Sequence, residues 1–572
     1  MTVSEPTAPT VESKGLKGGA LGLVSSIVVG IASTAPAYSL AATLGLIVAI
    51  NHTSVGVKAP AIVLISFIPM YLIAVAYQEL NKAEPDCGTT FTWASRTFGP
   101  IVGWLGGWGI IAADVIVMAN LAQIAGSYSF TFVGELGWHS VSDLADSTLW
   151  STVAGVIWIV VMTYICYRGI EVSARIQYAL LSIEVVVLVM FAIFALYKVY
   201  THGAEEYSLM PSISWFWPSG MGFGDVIAPA VLTTIFIYWG WDTAVACNEE
   251  SDDPGKTPGR AAVISTFLLL ATYALVSVAA VAFAGVGEEG IGLGNTDNSD
   301  DVFRAIGPPL FGDSVLGHIG LLLLAASILT SASASTQTTV LPTARTTLSM
   351  GVYKALPDSF AKIHRKYLTP SVSTIVMGAV SILFYLLFTV ISDNLLTALI
   401  GSVGLMIAFY YGLTGLACVW FYRKTLTRSA RDFVMRGVVP LLGGVSLFVM
   451  FLYGLKKYSE VDWLTDDDDN PVTIFGFGAV AVVGVGALVL GVILMFVWWA
   501  MSPRFFKGET LPKRSADLVL EHAPVGVGAG APTVGRLPDS REETIVAPDL
   551  SNLPPGEKAV DPESGTEYTK DG

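Results

Sequence analysis

Along most of the chain, continuously apolar stretches of about twenty residues alternate with short polar breaks. Each stretch is long enough to cross a hydrocarbon layer as a helix. Spanning backbone must satisfy its own hydrogen bonds, which leaves helices or closed barrels. Barrel strands would alternate apolar and polar positions over about ten residues. Here runs such as 185–196 and 480–500 are apolar throughout. The pattern therefore predicts an all-α membrane protein of about twelve transmembrane helices. The expected spans are 20–50 (α1), 59–80 (α2), 100–127 (α3), 149–167 (α4), 174–199 (α5) and 223–247 (α6). They continue as 259–285 (α7), 314–344 (α8), 370–391 (α9), 394–422 (α10), 434–455 (α11) and 472–501 (α12).

The same pattern divides the chain. A polar N-terminal tail (1–19) precedes a first group of five helices (20–199) and a second group of five (223–422). Two more helices (434–501) follow, and then a tail (507–572) rich in Pro, Gly and charge. That tail has too few apolar residues to bury a core and is expected to be disordered. No charged segment with a short apolar core and a cleavage site precedes α1, so the first span reads as retained.

Composition agrees with the pattern. The 572 residues are 53% hydrophobic and 13% charged, against about a quarter charged in soluble proteins. The net charge of −15 does not set orientation, because sidedness follows Lys and Arg. With the N-terminus inside, only Lys58, Lys198, Arg304, Lys456 and Lys457 of 31 Lys and Arg fall outside. This predicts a multi-pass protein of the cell (inner) membrane with both termini cytoplasmic. Cys87, Cys166, Cys247 and Cys418 all fall near the cytoplasmic side, which points to free thiols. Asp466–Asp469 reads as a solvated outer loop. No HExxH, GxSxG, Cys/His cluster or phosphate-cradling Gly-Lys-Ser/Thr loop is present. The chain is therefore not expected to be an enzyme or an ATP-driven motor.

Two helices carry interruptions in equivalent places of the two groups of five. In α1, Pro36 follows the small residues Ala32, Ser33, Thr34 and Ala35. It cannot donate to the helical ladder and clashes with the preceding turn, while its small neighbours let a ligand approach the backbone. In α6, Gly240 is a weak point flanked by Phe236, Tyr238, Trp239 and Trp241, aromatics able to form a gate. Paired discontinuous helices mark transporters built from inverted repeats, whose solute binds at the broken backbone. Ionisable groups inside spans are costly and therefore candidates for function. Asp114 in α3, Glu184 in α5 and Asp242 in α6 stand out. Asp114 suits selection of a cationic part of a solute, and polar packing equally well. Glu184 could bind a cation directly or carry a proton.

Several motifs, in order over residues 20–430, carry a resemblance. After α2 the chain reads Glu79-Leu80, Pro85-Asp86-Cys87-Gly88, then Phe98-Gly99-Pro100 and Gly107-Trp108. The α4–α5 link reads Arg168-Gly169, then Ser173-Ala174-Arg175-Ile176-Gln177. Gly240-Trp241-Asp242 leads to Glu249-Glu250, and Ala344-Arg345 to Leu356-Pro357 and Thr369-Pro370. Together they resemble the amino acid–polyamine–organocation (APC) superfamily of permeases. The resemblance implies a leucine-transporter-like fold: a 5+5 inverted repeat with discontinuous helices 1 and 6, plus two accessory helices. It places a substrate carboxylate on the α1 break near Ser33, Thr34 and Ala35. A substrate ammonium would meet α6 carbonyls near Phe236 and Trp239, with Phe236 as an aromatic gate. The usual Gly-Ser-Gly type triplet is replaced here by Ala-Ser-Thr-Ala-Pro. Glu184 stands where many proton-coupled members have a lysine. Ser327, Thr330 and Ser331 of α8 match the spacing used for Na+ by sodium-coupled members.

The implied function is cation-coupled (Na+ or H+) secondary transport of amino acids or related amines by alternating access. An exchanger and a non-transporting nutrient sensor are the alternatives. The expected partners are a small-molecule amino acid or amine and the lipid membrane, with no nucleic acid. No cofactor is expected beyond Na+ as a coupling ion.

Overall fold

The structure is a computed structural model that describes residues 14–202, 207–298, 301–391, 394–464 and 470–514, with two short strands beyond them. Asp466–Asp469 and most of the C-terminal tail lie outside the described residues. The chain is all-α where it crosses, and among the described residues eleven helices are long and apolar enough to span a membrane. The twelfth crossing element is α6. It is too broken to make one long helix, which is the form the interruption at Gly240 predicts.

The first element is split into α1a (Leu23–Ser33) and α1b (Pro36–Thr53). Then come α2 (Ala59–Ala83), α3 (Pro100–Glu135), α4 (Thr148–Tyr167) and α5 (Ile170–His202). The sixth comprises α6a (Ala228–Thr234), a tight turn over Ile235–Tyr238, and the short α6b (Thr243–Ala246). The second half continues with α7 (Thr257–Ala284), α8 (Val315–Val352), α9 (Ser371–Ile391) and α10 (Asn394–Tyr422). Last are α11 (Val439–Lys457) and α12 (Ala479–Met501). Short helices lie between spans, among them Thr90–Phe98 before α3 and Val302–Phe311 before α8.

The most apolar window of α1 is 89% buried inside the protein and that of α12 only 28%. The broken helix is thus the axis of the bundle and α12 part of its rim. Apolar side chains face outward on α4, α9, α11 and α12, among them Ile157, Leu383, Leu452 and Ile493. A surface of that kind is stable against lipid rather than water.

Three expected boundaries move. α8 runs to Val352, so Arg345, expected just beyond the helix, sits inside it and is fully buried. Its charge is neutralised there, which removes the penalty that would otherwise expel it. Residues 507–514, expected to begin the free tail, are instead docked. Leu511 is buried, Thr510 donates to Tyr353 O, and Arg514 N–H donates to Arg96 O at 2.9 Å. Within the rest of that tail, Lys558–Val560 pairs with Glu567–Thr569 as two antiparallel strands. The N-terminal tail likewise packs from Lys14 onward. Ala20 and Leu21 donate to Glu250 O, and Leu21 bridges to Ser251. All four cysteines are unpaired and buried.

Candidate functional site

The two breaks meet at the centre of the bundle. At the first, Thr34 ends α1a, and Ala35 takes a φ of +45°, a left-handed conformation that costs a residue with a Cβ. Pro36 then starts α1b, where its missing N–H is no loss. At the second, Trp239 is extended (φ −80°, ψ 141°) and Gly240 has φ +122°. A Cβ on Gly240 would lie 2.7 Å from the carbonyl carbon and oxygen of Ser33. Only glycine allows the two broken backbones to approach this closely. Ser33 Oγ and Thr243 Oγ1 are hydrogen-bonded at 2.8 Å, and Ser335 Oγ donates to Ser33 O at 3.0 Å.

Beside this crossing lies a small cavity of about 10 Å³, space for about one water molecule. Ser33, Asp114, Trp239, Gly240, Asp242 and Tyr410 line it, and Thr339 and Pro342 bring in α8. Tyr411 and Tyr410 donate to the two oxygens of Asp242 at 2.8 and 3.1 Å. Trp239 Nε1 donates in turn to the Tyr410 hydroxyl. Thr343 Oγ1 donates to Asp114. Among the described residues no basic side chain pairs with either carboxylate.

Glu184 approaches from α5 on the other side of the α1 break. Its Oε1 accepts from Ala37 N–H at 2.8 Å and from Ser331 Oγ at 2.7 Å. Ser331 Oγ accepts in turn from Tyr38 N–H at 3.1 Å. Glu184 Oε2 is buried without a hydrogen-bond partner. The carboxyl therefore caps the start of α1b, where unsatisfied N–H groups and the helix dipole favour negative charge.

Of the residues expected to meet a solute, Ser33, Asp114, Trp239 and Gly240 line the cavity. Ala32, Thr34, Ala35, Phe236 and Tyr238 do not. Thr34 Oγ1 is turned back to Ile31 O. Phe236 packs edge-on against Tyr38, and Tyr238 donates to Val63 O of α2. Of the coupling candidates, Asp242 lines the cavity, while Glu184 and Ser331 bond to each other. Thr330 Oγ1 donates to Ser327 O of its own helix at 3.0 Å, and Ser327 Oγ is buried without a partner. The carbonyl of Ser327 and the hydroxyls of Thr330 and Ser331, the oxygens expected for Na+, are thus engaged with one another, with Glu184 and with Tyr38 N–H. The α8 hydroxyls that reach α1 are Ser331 and Ser335, four residues apart on one face. The sequence reading missed Ser335, Tyr410 and Tyr411. A pair of adjacent tyrosines inside an apolar span was the available signal for the last two.

The face of the bundle that carries the N-terminus is closed by ion pairs. Arg345 grips Glu250 through two hydrogen bonds of 2.9 and 2.8 Å, both side chains fully buried. Lys14 is buried between Asp86, at 2.8 Å, and Glu249. Asp86 also accepts from Gly88 N–H, Thr92, Ser349 and Tyr353. Burial works against the charge on Asp86, but Lys14 and these donors outweigh it and hold the carboxyl well below its ordinary range. Burial also opposes the Lys14 ammonium, yet its carboxylate neighbours raise its pKa well above the ordinary value. Asp86, Cys87 and Glu249 lie close enough to hold a metal ion, but Lys14 already fills that place. Cys87 Sγ lies against Arg345 O and Cys166 Sγ against Gln337 O.

Comparison with known proteins agrees with this architecture. The sequence model of the amino acid permease family matches residues 21–497. The branched-chain amino acid permease BcaP of Bacillus subtilis (strain 168) is 26% identical over 395 residues, covering 66% of this chain and 76% of that protein. An arginine/ornithine antiporter of Latilactobacillus sakei is 23% identical over 476 residues, covering 77% and 92%. The crystal structure of MhsT in complex with L-phenylalanine superposes with a TM-score of 0.50 at 14% identity, over 74% of this chain and 98% of the other. The last likeness concerns the fold alone, which is leucine-transporter-like. The family match, reaching from the N-terminal side of α1 through most of α12, makes this chain a member of the amino acid permease family.

Proposed function

We propose that this protein is a secondary transporter of small amino-acid-like or amine solutes, working by alternating access and coupled to protons through Glu184. The observation that carries the reading is the Glu184 carboxyl. It touches the broken helix through one oxygen, while the other is buried without a partner. Among the described residues no Lys or Arg neutralises it, so the balancing charge has to come from outside the chain. A proton on the unpartnered oxygen answers that need without a cage of ligands. Its arrival or departure would change how firmly α5 and α8 hold α1b, which is the coupling that alternating access requires.

The N-terminal face is the cytoplasmic one in this reading. The distribution of Lys and Arg supports it, and so does the position of Lys58, Lys198 and Arg304 on the opposite face, where they meet Ser219, Pro309 and Asp146. With that face shut by Arg345–Glu250 and Lys14, the form described is closed to the cytoplasm. Release inward then requires these contacts to part.

The test is uptake into proteoliposomes of radiolabelled amino acids and amines under a proton gradient, a sodium gradient, or neither. Proton-driven accumulation that Glu184→Gln abolishes, while counterflow exchange persists, is the expected result. Accumulation driven by sodium instead would overturn the coupling assignment and return attention to Ser327. Exchange without accumulation under any gradient would leave an exchanger. Binding without movement would leave a sensor.

A further inference from the structure

On the N-terminal face, away from both breaks, three cations from different parts of the chain line one cleft of about 210 Å³. Lys17 comes from the N-terminal tail, Arg168 caps the end of α4, and Lys366 stands in the loop before α9. Glu171 is the one carboxylate among the lining residues, and it is paired with Lys17 at 2.8 Å. Among the described residues no carboxylate pairs with Arg168 or Lys366. The cleft therefore keeps two positive charges for a partner.

Its walls are braced. The Arg168 guanidinium lies over the rings of Tyr164 and Tyr367, 5.6 and 5.1 Å from their centroids, and donates to the Tyr164 hydroxyl at 2.8 Å. Lys366 Nζ lies 5.7 Å from the same Tyr367 ring. Tyr367 stacks in turn on His364, and Thr369 Oγ1 donates to Tyr167 O at 3.0 Å, which ties the loop to the end of α4. A planar guanidinium held in this way is set for the oxygens of a phosphate.

The face of α4 that leads to Arg168 says what carries that phosphate. Ile157, Val161 and Tyr164 precede Arg168 at spacings of four, three and four residues, so all four share one face of the helix. The three are exposed, an apolar track for lipid that ends at a cation. A soluble phosphate makes no use of such a track. A phospholipid fits it, with its chains along α4 and its headgroup in the cleft. Arg423, beyond the end of α10 on the same face, provides the contrast. It lies over the exposed Trp420, 5.0 Å from the ring centroid, but is not among the residues that line the cleft.

We propose that this cleft binds the phosphate of an anionic phospholipid from the leaflet at the N-terminal face, with Arg168 and Lys366 as its charge partners. The inference does not depend on the solute or on the coupling ion.

The test adds dioleoylphosphatidylglycerol, dioleoylphosphatidylcholine or inorganic phosphate to the full-length protein in detergent. Bound lipid is read by native mass spectrometry, and all three additions by melting temperature. Phosphatidylglycerol is expected to bind about ten-fold more tightly than phosphatidylcholine, and inorganic phosphate to leave the melting temperature unmoved. Arg168→Gln and Lys366→Gln, both at exposed positions, are each expected to weaken phosphatidylglycerol by about five-fold and phosphatidylcholine far less. Arg423→Gln is expected to change either by less than about two-fold. Equal binding of the two lipids by the unmodified protein overturns the inference. So does a loss with Arg423→Gln as large as that with Arg168→Gln, which would show attraction to the basic face as a whole. Displacement of the lipid by inorganic phosphate at equal concentration overturns the lipid assignment in favour of a soluble phosphate. Lys366→Gln, in a loop, keeps the test decisive if Arg168→Gln does not fold.

Discussion

Two buried acidic groups in this molecule are treated in opposite ways. On the N-terminal face Asp86, Glu249 and Glu250 each have a cation supplied by the chain, Lys14 or Arg345. At the centre, among the described residues, Asp114, Glu184 and Asp242 are met by hydroxyls and an amide and by no basic side chain. In the first arrangement the chain supplies both signs of charge, and a buried ion pair of that kind acts as a lock. The second lacks its positive charge. In a transporter that charge is what travels, as coupling ion or as solute. The contrast teaches where to look for working acids in a membrane bundle: among those whose counterion the sequence leaves out.

Stability and transport should therefore respond oppositely in the two regions. Arg345→Ala should break the contrast hardest. It strands Glu250 in a dry site, and breaking such a pair costs about 3–5 kcal/mol. A large loss of thermal stability in detergent is expected, with most of it recovered when Glu250→Leu is combined with Arg345→Leu. Recovery that fails to appear would mean the pair is more than a lock. Next comes Gly240→Ala. A backbone held at φ +122° against Ser33 leaves no room for the methyl, and strain of about 1–3 kcal/mol is expected. Uptake should fall further than stability does, because the α1–α6 crossing itself must shift.

Asp242→Asn sharpens the comparison from the other side. The amide can still accept from Tyr411, and a buried charge disappears, so stability should change by less than about 1 kcal/mol. Substrate affinity should drop at least ten-fold. Equal losses of both would place Asp242 among the structural acids. The smallest effect is that of pH on the closed face. Asp86 titrates well below its ordinary value, so its stabilisation is complete above about pH 4 and fades only as pH falls toward the depressed value. Lys14 titrates above its ordinary value, so its stabilisation is complete below about pH 10 and is lost only as pH rises further. The melting temperature should therefore differ little between wild type and Lys14→Met in its dependence on pH from 5 to 9. A slope in the wild type alone would show another titrating group in the lock.

The crossing elements were legible because a lipid-facing helix writes its length and apolarity locally, residue by residue. Both breaks were legible for the same reason, since Pro36 and Gly240 act on their own backbone. What the sequence concealed depends on distant partners. Lys14 looks like part of a solvated tail, and only the convergence of Asp86 and Glu249, 72 and 235 residues away, buries it. The α8 hydroxyls show the same limit more finely. Spacing put Ser327, Thr330 and Ser331 on one face, but the rotation of α8 against α1 is set by packing across the bundle. That rotation brings Ser335 to the break and leaves Thr330 on its own helix. Tyr410 and Tyr411 counted as two more apolar positions until Asp242 was found between their hydroxyls.

The buried thiols have a practical consequence. Cys87 rests on the carbonyl of Arg345, and Cys166 on that of Gln337, and both thiols are buried beside the Arg345–Glu250 pair's helix. Maleimide reagents should find the closed form inert and the open form reactive at these two positions. On the proposed alternating access, the unmodified protein thus carries its own alkylation clock for the opening of that face.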